Sequence, residues 1–430
     1  MRILVLGINY APEPIGIAPC TTELCEWLQR EGHTVDVVTA FPYYPAWKKR
    51  HEDRGRVFRN EEVHGVQLHR CWQYVPGKPS ALKRMLHEAS FAVTGLLRAL
   101  VLPRADLCVV VCPPLVLGLT AWLVKVCRGT PYLVHVQDMQ PDAAVALGML
   151  KPGLLTDMLY RLESFIYRGA SRVSGITRGM LQAFRRKGVP SAKLVLLANS
   201  ISLPEENAGR SRGAFRAKHV FTTGEFLAVY SGNVGAKQGI DILFEAANGL
   251  QDSSVKLVVC GDGAGRDLLG GVSDRARESL LLLPLQARDA YERMLQDADC
   301  CIITQKHGAG SCFFPSKMLT ALSFGRAIVA VADRESELSQ VIERGGFGVV
   351  VEPGKPDELA AALVRLSENP EMVQEMGRLG RAYASRFESR RVHAGFEYVL
   401  REMKAPVDPR FAISKLVTAA PEGGVPYAAR

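Results

Sequence analysis

A chain of 430 residues is long for one domain and suits two, each with its own core. Hydrophobic residues at 47% exclude a largely disordered chain, and a net charge of +9 points to an anionic partner: a membrane surface, a phosphorylated ligand or nucleic acid. Nucleic acid is not expected, because no recognition helix, zinc finger or aromatic RNA-binding signature is present. The ten cysteines include no C-x-x-C pair, so neither zinc nor thiol redox chemistry is indicated and no metal site is expected. Cys108, Cys112, Cys260, Cys300 and Cys301 lie in or beside apolar runs, where cysteine acts as a small hydrophobe. The opening MRILVLGINY has too short an apolar core for a signal peptide, and no run of about 20 apolar residues predicts a transmembrane helix. A cytosolic, reduced protein is expected.

In the first half, strand-like runs recur at residues 3–6, 35–39, 107–112, 132–136, 172–176 and 194–197, separated by helical patterns such as 21–30 and 115–126. Alternating β and α, with strands apolar on both faces, predicts a parallel sheet covered on both sides. Ligands of such sheets bind beyond the carboxyl ends of the strands. The first such loop runs from Gly7 through Asn9 to Gly16, stiffened by Pro12 and Pro14. It is not G-x-G-x-x-G, which argues against a nicotinamide enzyme, and its length argues for binding. Gly32-His33 reads as a helix stop with a decorating histidine. Tyr43, Tyr44, Trp47, Lys48, Lys49 and Arg50 join aromatic faces to a cationic run, suited to sugar rings and to phosphate or anionic lipid, or else to a solvated basic loop. A helix from about 83 to 102 carries Phe91, Leu97 and Val101 behind Lys78, Lys83 and Arg84; it either lies on a bilayer or packs on its own sheet. After the strand at 132–136 come Gln137 and Asp138. Asp138 is placed either to accept hydrogen bonds from sugar hydroxyls or to cap the next helix.

Residues 200–225 read as an inter-domain connection. The second half begins with a strand at 227–230 and the glycine loop Gly232-Asn233-Val234-Gly235-Ala236-Lys237, followed by a helix. Backbone N–H groups, a helix start and one lysine make a phosphate site. Later strands are predicted at 256–260, 280–283, 299–303, 327–331 and 349–351. The turn Gly261-Asp262-Gly263 follows one of them, and Leu285 lies in a loop after the next. Ser316 and Lys317 open a helix closed by Gly325; its free N–H groups and positive end suit a diphosphate.

The motifs INYAPEP-x-G, EGHTVDVVTAFPYYPAW, HVQDMQPDAA, YSGNVGAKQG, VVCGDG and FPSKMLTALSFGRAIVA, in this order, resemble glycosyltransferase family 4, most closely its WcaI-type exopolysaccharide and colanic-acid branch. The resemblance covers roughly residues 1–401 and implies a GT-B architecture, α/β with two Rossmann-like doubly wound parallel-sheet domains facing a central cleft. It implies an N-terminal acceptor-binding domain over 1–199, a linker over 200–225, a nucleotide-sugar-binding domain over 226–385, a helix over 386–403 returning to the N-terminal domain, and a flexible tail over 404–430. It further implies a nucleotide-sugar donor, no metal or other cofactor, and transfer with retention of configuration, the departing phosphate helping to deprotonate the acceptor. By resemblance Asn233 and Lys237 contact the donor diphosphate, Gly16 lies over it, and Ser316 and Lys317 sit at the phosphate-binding helix end. Gly232, Gly261, Gly263 and Leu285 line the donor side, and Gln137, Asp138 and Lys237 stand at the reacting centre.

Two departures stand out. Many members carry a spaced pair of glutamates ahead of the final glycine; here those positions are Cys312 and Thr320. Where many have histidine before aspartate, this chain has Gln137-Asp138. Three readings follow: a transferase acting on a lipid-linked oligosaccharide at an anionic membrane surface, peripherally on the inner face of the plasma membrane; a catalytically silent nucleotide-sugar or glycan binder; and a sugar-nucleotide epimerase. On the first reading, Lys48, Lys49, Arg50, Lys78, Lys83 and Arg84 supply charge to the membrane, and Trp47 and Phe91 supply anchors.

Overall fold

Runs such as Ile3–Leu6 and Leu107–Cys112 have no polar face to offer water, so they stack side by side in the interior of a parallel sheet. The computed structural model describes residues 1–404 except 15, 79, 147, 152, 205–212, 233, 235–237, 263–272, 275 and 309–315. The chain forms two units: unit 1 holds Met1–Ser200 and the chain from Arg390 on, and unit 2 holds Ile201–Ser389.

Unit 1 contains β1 (Arg2–Leu6), β2 (Thr34–Ala40), β3 (Phe58–Val63), β4 (Val66–Cys71), β5 (Leu107–Cys112), β6 (Tyr132–Val136), β7 (Arg172–Gly175) and β8 (Leu194–Leu196), in the order β3-β4-β2-β1-β5-β6-β7-β8. All neighbours are parallel except β3 and β4. That hairpin was not visible in the hydrophobic pattern, because β3 alternates only between exposed and half-buried and carries Arg59, Glu61 and Glu62. Its two-residue turn, His64-Gly65, has positive φ at both positions (50° and 79°), the geometry that matches strand twist. The helix Ser389–Lys404 completes this unit by burying Phe396, Val399 and Leu400 against Ile3, Val35 and Leu107. His33 does not decorate a turn: it is 3% exposed and its Nε2 lies 3.0 Å from Glu397 Oε1 of that helix.

Unit 2 contains β9 (Phe226–Ser231), β10 (Val255–Cys260), β11 (Leu280–Leu283), β12 (Cys300–Thr304), β13 (Ala327–Val331) and β14 (Gly348–Val351), all parallel, in the order β11-β10-β9-β12-β13-β14. Apolar cores cover both faces, one around Leu243, Leu257 and Leu363, the other around Met318, Leu322 and Phe347. Part of the stretch read as a connection is built into this unit. Phe215 enters its core, and the backbone N–H groups of Gly213, Phe215 and Arg216 donate to the Asp297 carboxylate at 2.6, 2.7 and 3.1 Å.

Candidate functional site

Both sheets end in loops at their carboxyl edges, and the candidate residues gather there. In unit 2, β9 runs out at Ser231 and the chain stays pinned to its neighbours: Gly232 N donates to Cys260 O at 2.8 Å, Val234 N to Asp262 O at 2.9 Å and Gly261 N to Leu283 O at 3.0 Å. A side chain at Gly261 would strike backbone, and one at Gly232 would displace the end of a lysine. A Cβ on Gly232 would come within 1.7 Å of Lys317 Nζ, and one on Gly261 within 1.8 Å of the Gly232 carbonyl. Lys317 is in the first turn of the helix Ser316–Ser323, which Met318, Leu319, Ala321 and Leu322 anchor in the core and which stops at Gly325. Its ammonium therefore lies over Gly232, with the Tyr230 ring centroid 5.8 Å away. Burial pulls its pKa down to about 8, and among the described residues no carboxylate pairs with it. A buried cation without an anion is costly, and its natural complement is a bound anion. Gly261 and Leu285 follow the adjacent strands, Leu285 being exposed. Asn233, Lys237 and Gly263 lie outside the described residues, as does the side chain of Ser316.

In unit 1, β6 leads into Gln137 and Asp138. Gln137 is 6% exposed and its amide is committed: it exchanges hydrogen bonds with the Asn199 amide at 2.8 and 2.9 Å, and its Nε2 lies 2.8 Å from His135 Nε2. His135 Nδ1 meets Ser174 Oγ at 2.9 Å, and burial lowers the imidazole pKa to about 4, so it stays neutral. This buried ladder positions the end of β6. Asp138, next along, is half-buried.

The first loop is tied to the aromatic segment by a residue the motif reading passed over. Glu13, 5% exposed, accepts Tyr43 N and Tyr44 N at 2.9 Å each and Asn9 Nδ2 at 2.7 Å. Gly16, at φ 75°, lies against Tyr44. Tyr43 stacks edge-on to His87 (4.5 Å between centroids) and to Trp47 (5.4 Å), and Arg84 lies 5.3 Å over Trp47. Lys49 lies 4.7 Å over Trp72, and with Trp47, Lys48, Arg54 and Tyr74 it lines a surface groove. Lys48 and Arg50 are exposed, Arg50 pairing with Glu52 at 3.6 Å; Lys78 and Lys83 are exposed near Ser80, whose hydroxyl caps the helix Ala81–Val101. Phe91 is 1% exposed and packs inward, so it is not available as a surface anchor. The exposed large apolar residues of that helix are Leu82, Met85, Leu86, Val93, Leu97 and Val101, and Leu154, Met158 and Phe165 of the helix Leu154–Gly169 are exposed as well. Among the described residues no helix is long and apolar enough to cross a membrane, and no group of three His, Cys, Asp or Glu is placed to hold a metal ion.

The profile of the glycosyl transferase 4-like domain matches residues 16–200, and that of the glycosyl transferases group 1 matches residues 211–383. Over 372 residues the chain is 33% identical to WcaI of Escherichia coli strain K12, named for glycosyl transfer in colanic acid biosynthesis; the alignment spans 84% of this chain and 91% of WcaI. Among solved structures, sucrose-phosphate synthase from Thermosynechococcus elongatus superposes with a TM-score of 0.71 at 16% identity, over 94% of this chain and 98% of the synthase. HepE of Anabaena in complex with UDP-glucose gives 0.66 at 14% identity, over 94% of this chain and 100% of HepE. The fold shared with these proteins is GT-B.

Proposed function

Because the chain belongs to the group 1 glycosyltransferases that carry a 4-like amino-terminal domain, we propose that it transfers a sugar from a nucleotide-sugar donor to a lipid-linked oligosaccharide in the building of a cell-surface polysaccharide, with retention of anomeric configuration. The observation that carries the donor half is Lys317, a buried ammonium over Gly232 at the carboxyl edge of the unit 2 sheet, with no carboxylate partner among the described residues. A diphosphate bound there supplies the missing charge and is neutralised as it leaves, with the first turn of the helix Ser316–Ser323 contributing free N–H groups. Asn233 and Lys237 are proposed as further diphosphate contacts and Asp138 as a contact to sugar hydroxyls. That HepE is seen with UDP-glucose supports a nucleotide-sugar ligand for this shared fold.

No divalent ion is required in this scheme, so turnover is expected to survive EDTA; loss with EDTA and rescue by manganese would overturn it. The decisive experiment is a thermal-shift panel of UDP-, GDP- and dTDP-sugars. A ligand that binds only the folded state raises the melting temperature, and replacing Lys317 with Met is expected to remove that rise. No shift with any donor would sink the reading. The aromatic and cationic residues Tyr43, Tyr44, Trp47, Lys48, Lys49, Arg50, Lys83 and Arg84 are proposed to meet the acceptor and an anionic membrane surface, which places the enzyme peripherally on the cytoplasmic leaflet.

A further inference from the structure

Glu88 has no place in the scheme above. It lies in the helix Ala81–Val101, directly after His87, whose ring packs against Tyr43 and Trp47, and one turn after Arg84, which covers Trp47. Among the described residues its carboxyl has one hydrogen-bonding partner. Gln140 Nε2 donates to both oxygens, at 3.0 and 3.1 Å, and Gln140 is itself fixed by Leu115 N, which donates to its Oε1 at 2.7 Å. Those two partners follow β5 and β6, so the relay places Glu88 at the carboxyl edge of the unit 1 sheet. Among the described residues no cation forms an ion pair with it. A half-buried carboxyl hydrogen-bonded by one neutral amide keeps lone pairs unused, and burial pushes its pKa up to about 7 against the opposing pull of the Gln140 hydrogen bond and the Arg84 charge. A purely structural position would favour glutamine, which makes the same contact without the buried charge.

Sugar rings are recognised by this combination: aromatic faces for the C–H side, and a planar group with spare lone pairs for the hydroxyls. We propose that Glu88 is a specificity-determining anchor for the acceptor, its carboxylate receiving hydrogen bonds from hydroxyls of a pyranose set against Tyr44 and Trp47. This rests on the reading that unit 1 takes a glycan acceptor. The ionised form accepts and the protonated form turns one oxygen into a donor, so sugar binding strengthens as pH rises through about 7. Among the groups facing Glu88, burial lowers the His87 pKa from its ordinary value and so favours the neutral ring, and it raises the Tyr43 hydroxyl and the Cys112 thiol well above neutrality.

The test is saturation-transfer NMR with methyl α- and β-glycosides of glucose, galactose and mannose, at pH 6 and pH 8, on the full chain and on Glu88→Gln and Glu88→Ala. At least one glycoside is expected to bind at pH 8 and to weaken by about tenfold at pH 6, with Glu88→Gln weak and flat at both pH values. The melting temperatures of the variants serve as the folding control. Absence of binding by every glycoside, or binding by Glu88→Gln with the wild-type pH dependence, would overturn the assignment. Donor-induced thermal shifts are measured on the same samples. A donor shift without Glu88-dependent glycoside binding removes the anchor and leaves the transferase reading; the converse keeps a sugar site in unit 1 and removes the donor.

Discussion

Replacing Lys317 with Met should make the protein more stable and unable to hold its donor. Lys317 keeps its positive charge at neutral pH against a pKa pulled from 10.5 down to about 8, and that difference corresponds to about 3 kcal/mol. The side chain retains part of its solvent, so we expect about 1–3 kcal/mol of the folded state's stability to be lost to this one charge. Methionine keeps the length of the stem along Tyr230 and removes the ammonium. The sign is fixed by the direction of the shift. The folded state binds the proton more weakly than the unfolded chain, so the penalty is full below pH 8 and fades as pH rises towards 10.5. The variant should therefore melt several degrees above wild type at pH 7, at about 2–4 °C per kcal/mol, with most of the gain gone at pH 10. Differential scanning calorimetry at the two pH values, with and without donor, reads all three effects. A variant less stable than wild type at pH 7, or a gain that does not shrink at pH 10, would refute the buried-charge argument.

Other outcomes follow from the same geometry. Gly261→Ala should destabilise by more than about 2 kcal/mol, because its Cβ meets a backbone carbonyl at 1.8 Å and its φ of 152° disfavours a side chain; thermal melting checks this. Gly232→Ala should fold, since only the flexible end of Lys317 must move, yet lose the donor-induced thermal shift. Asn199→Ala should cost about 1–3 kcal/mol by leaving the buried Gln137 amide without its partner, seen as faster hydrogen exchange at the end of β6. Changing Lys48, Lys49 and Arg50 together to Glu should abolish most sedimentation with anionic vesicles while leaving the donor shift intact, since each cation near such a surface contributes about 1 kcal/mol. Equal sedimentation of the wild type with neutral and anionic vesicles would remove the membrane claim.

What the sequence made legible follows from which forces act locally. Runs such as Leu107–Cys112 and Ala327–Val331 declare themselves because a strand buried on both faces must be apolar throughout. β3 was missed because an edge strand answers to water on one side and its charges hide the period, and β4 because Gln67, His69 and Arg70 break its apolar run although the strand is interior. Gly232, Gly261 and Lys317 were singled out from loop chemistry, and the structure sets these three side by side. Glu13 and Glu88 were not found. Their partners are Tyr43, Tyr44 and Asn9 for one and Gln140 for the other, set by tertiary packing up to 52 positions away in the chain. Phe91 and His33 were misplaced for the same reason: an apolar or titratable side chain reads alike from the sequence whether it faces solvent or core.

The closing helix of unit 1 sets an order of events during synthesis. Phe396, Val399 and Leu400 belong to the same core as Ile3 and Val35, yet they leave the ribosome after all of unit 2. The first two hundred residues therefore wait with an uncovered apolar face while the intervening unit is made and folds. A chain that stops just after Ser389 holds all of the second unit and leaves open the apolar face of the first that Phe396, Val399 and Leu400 would cover.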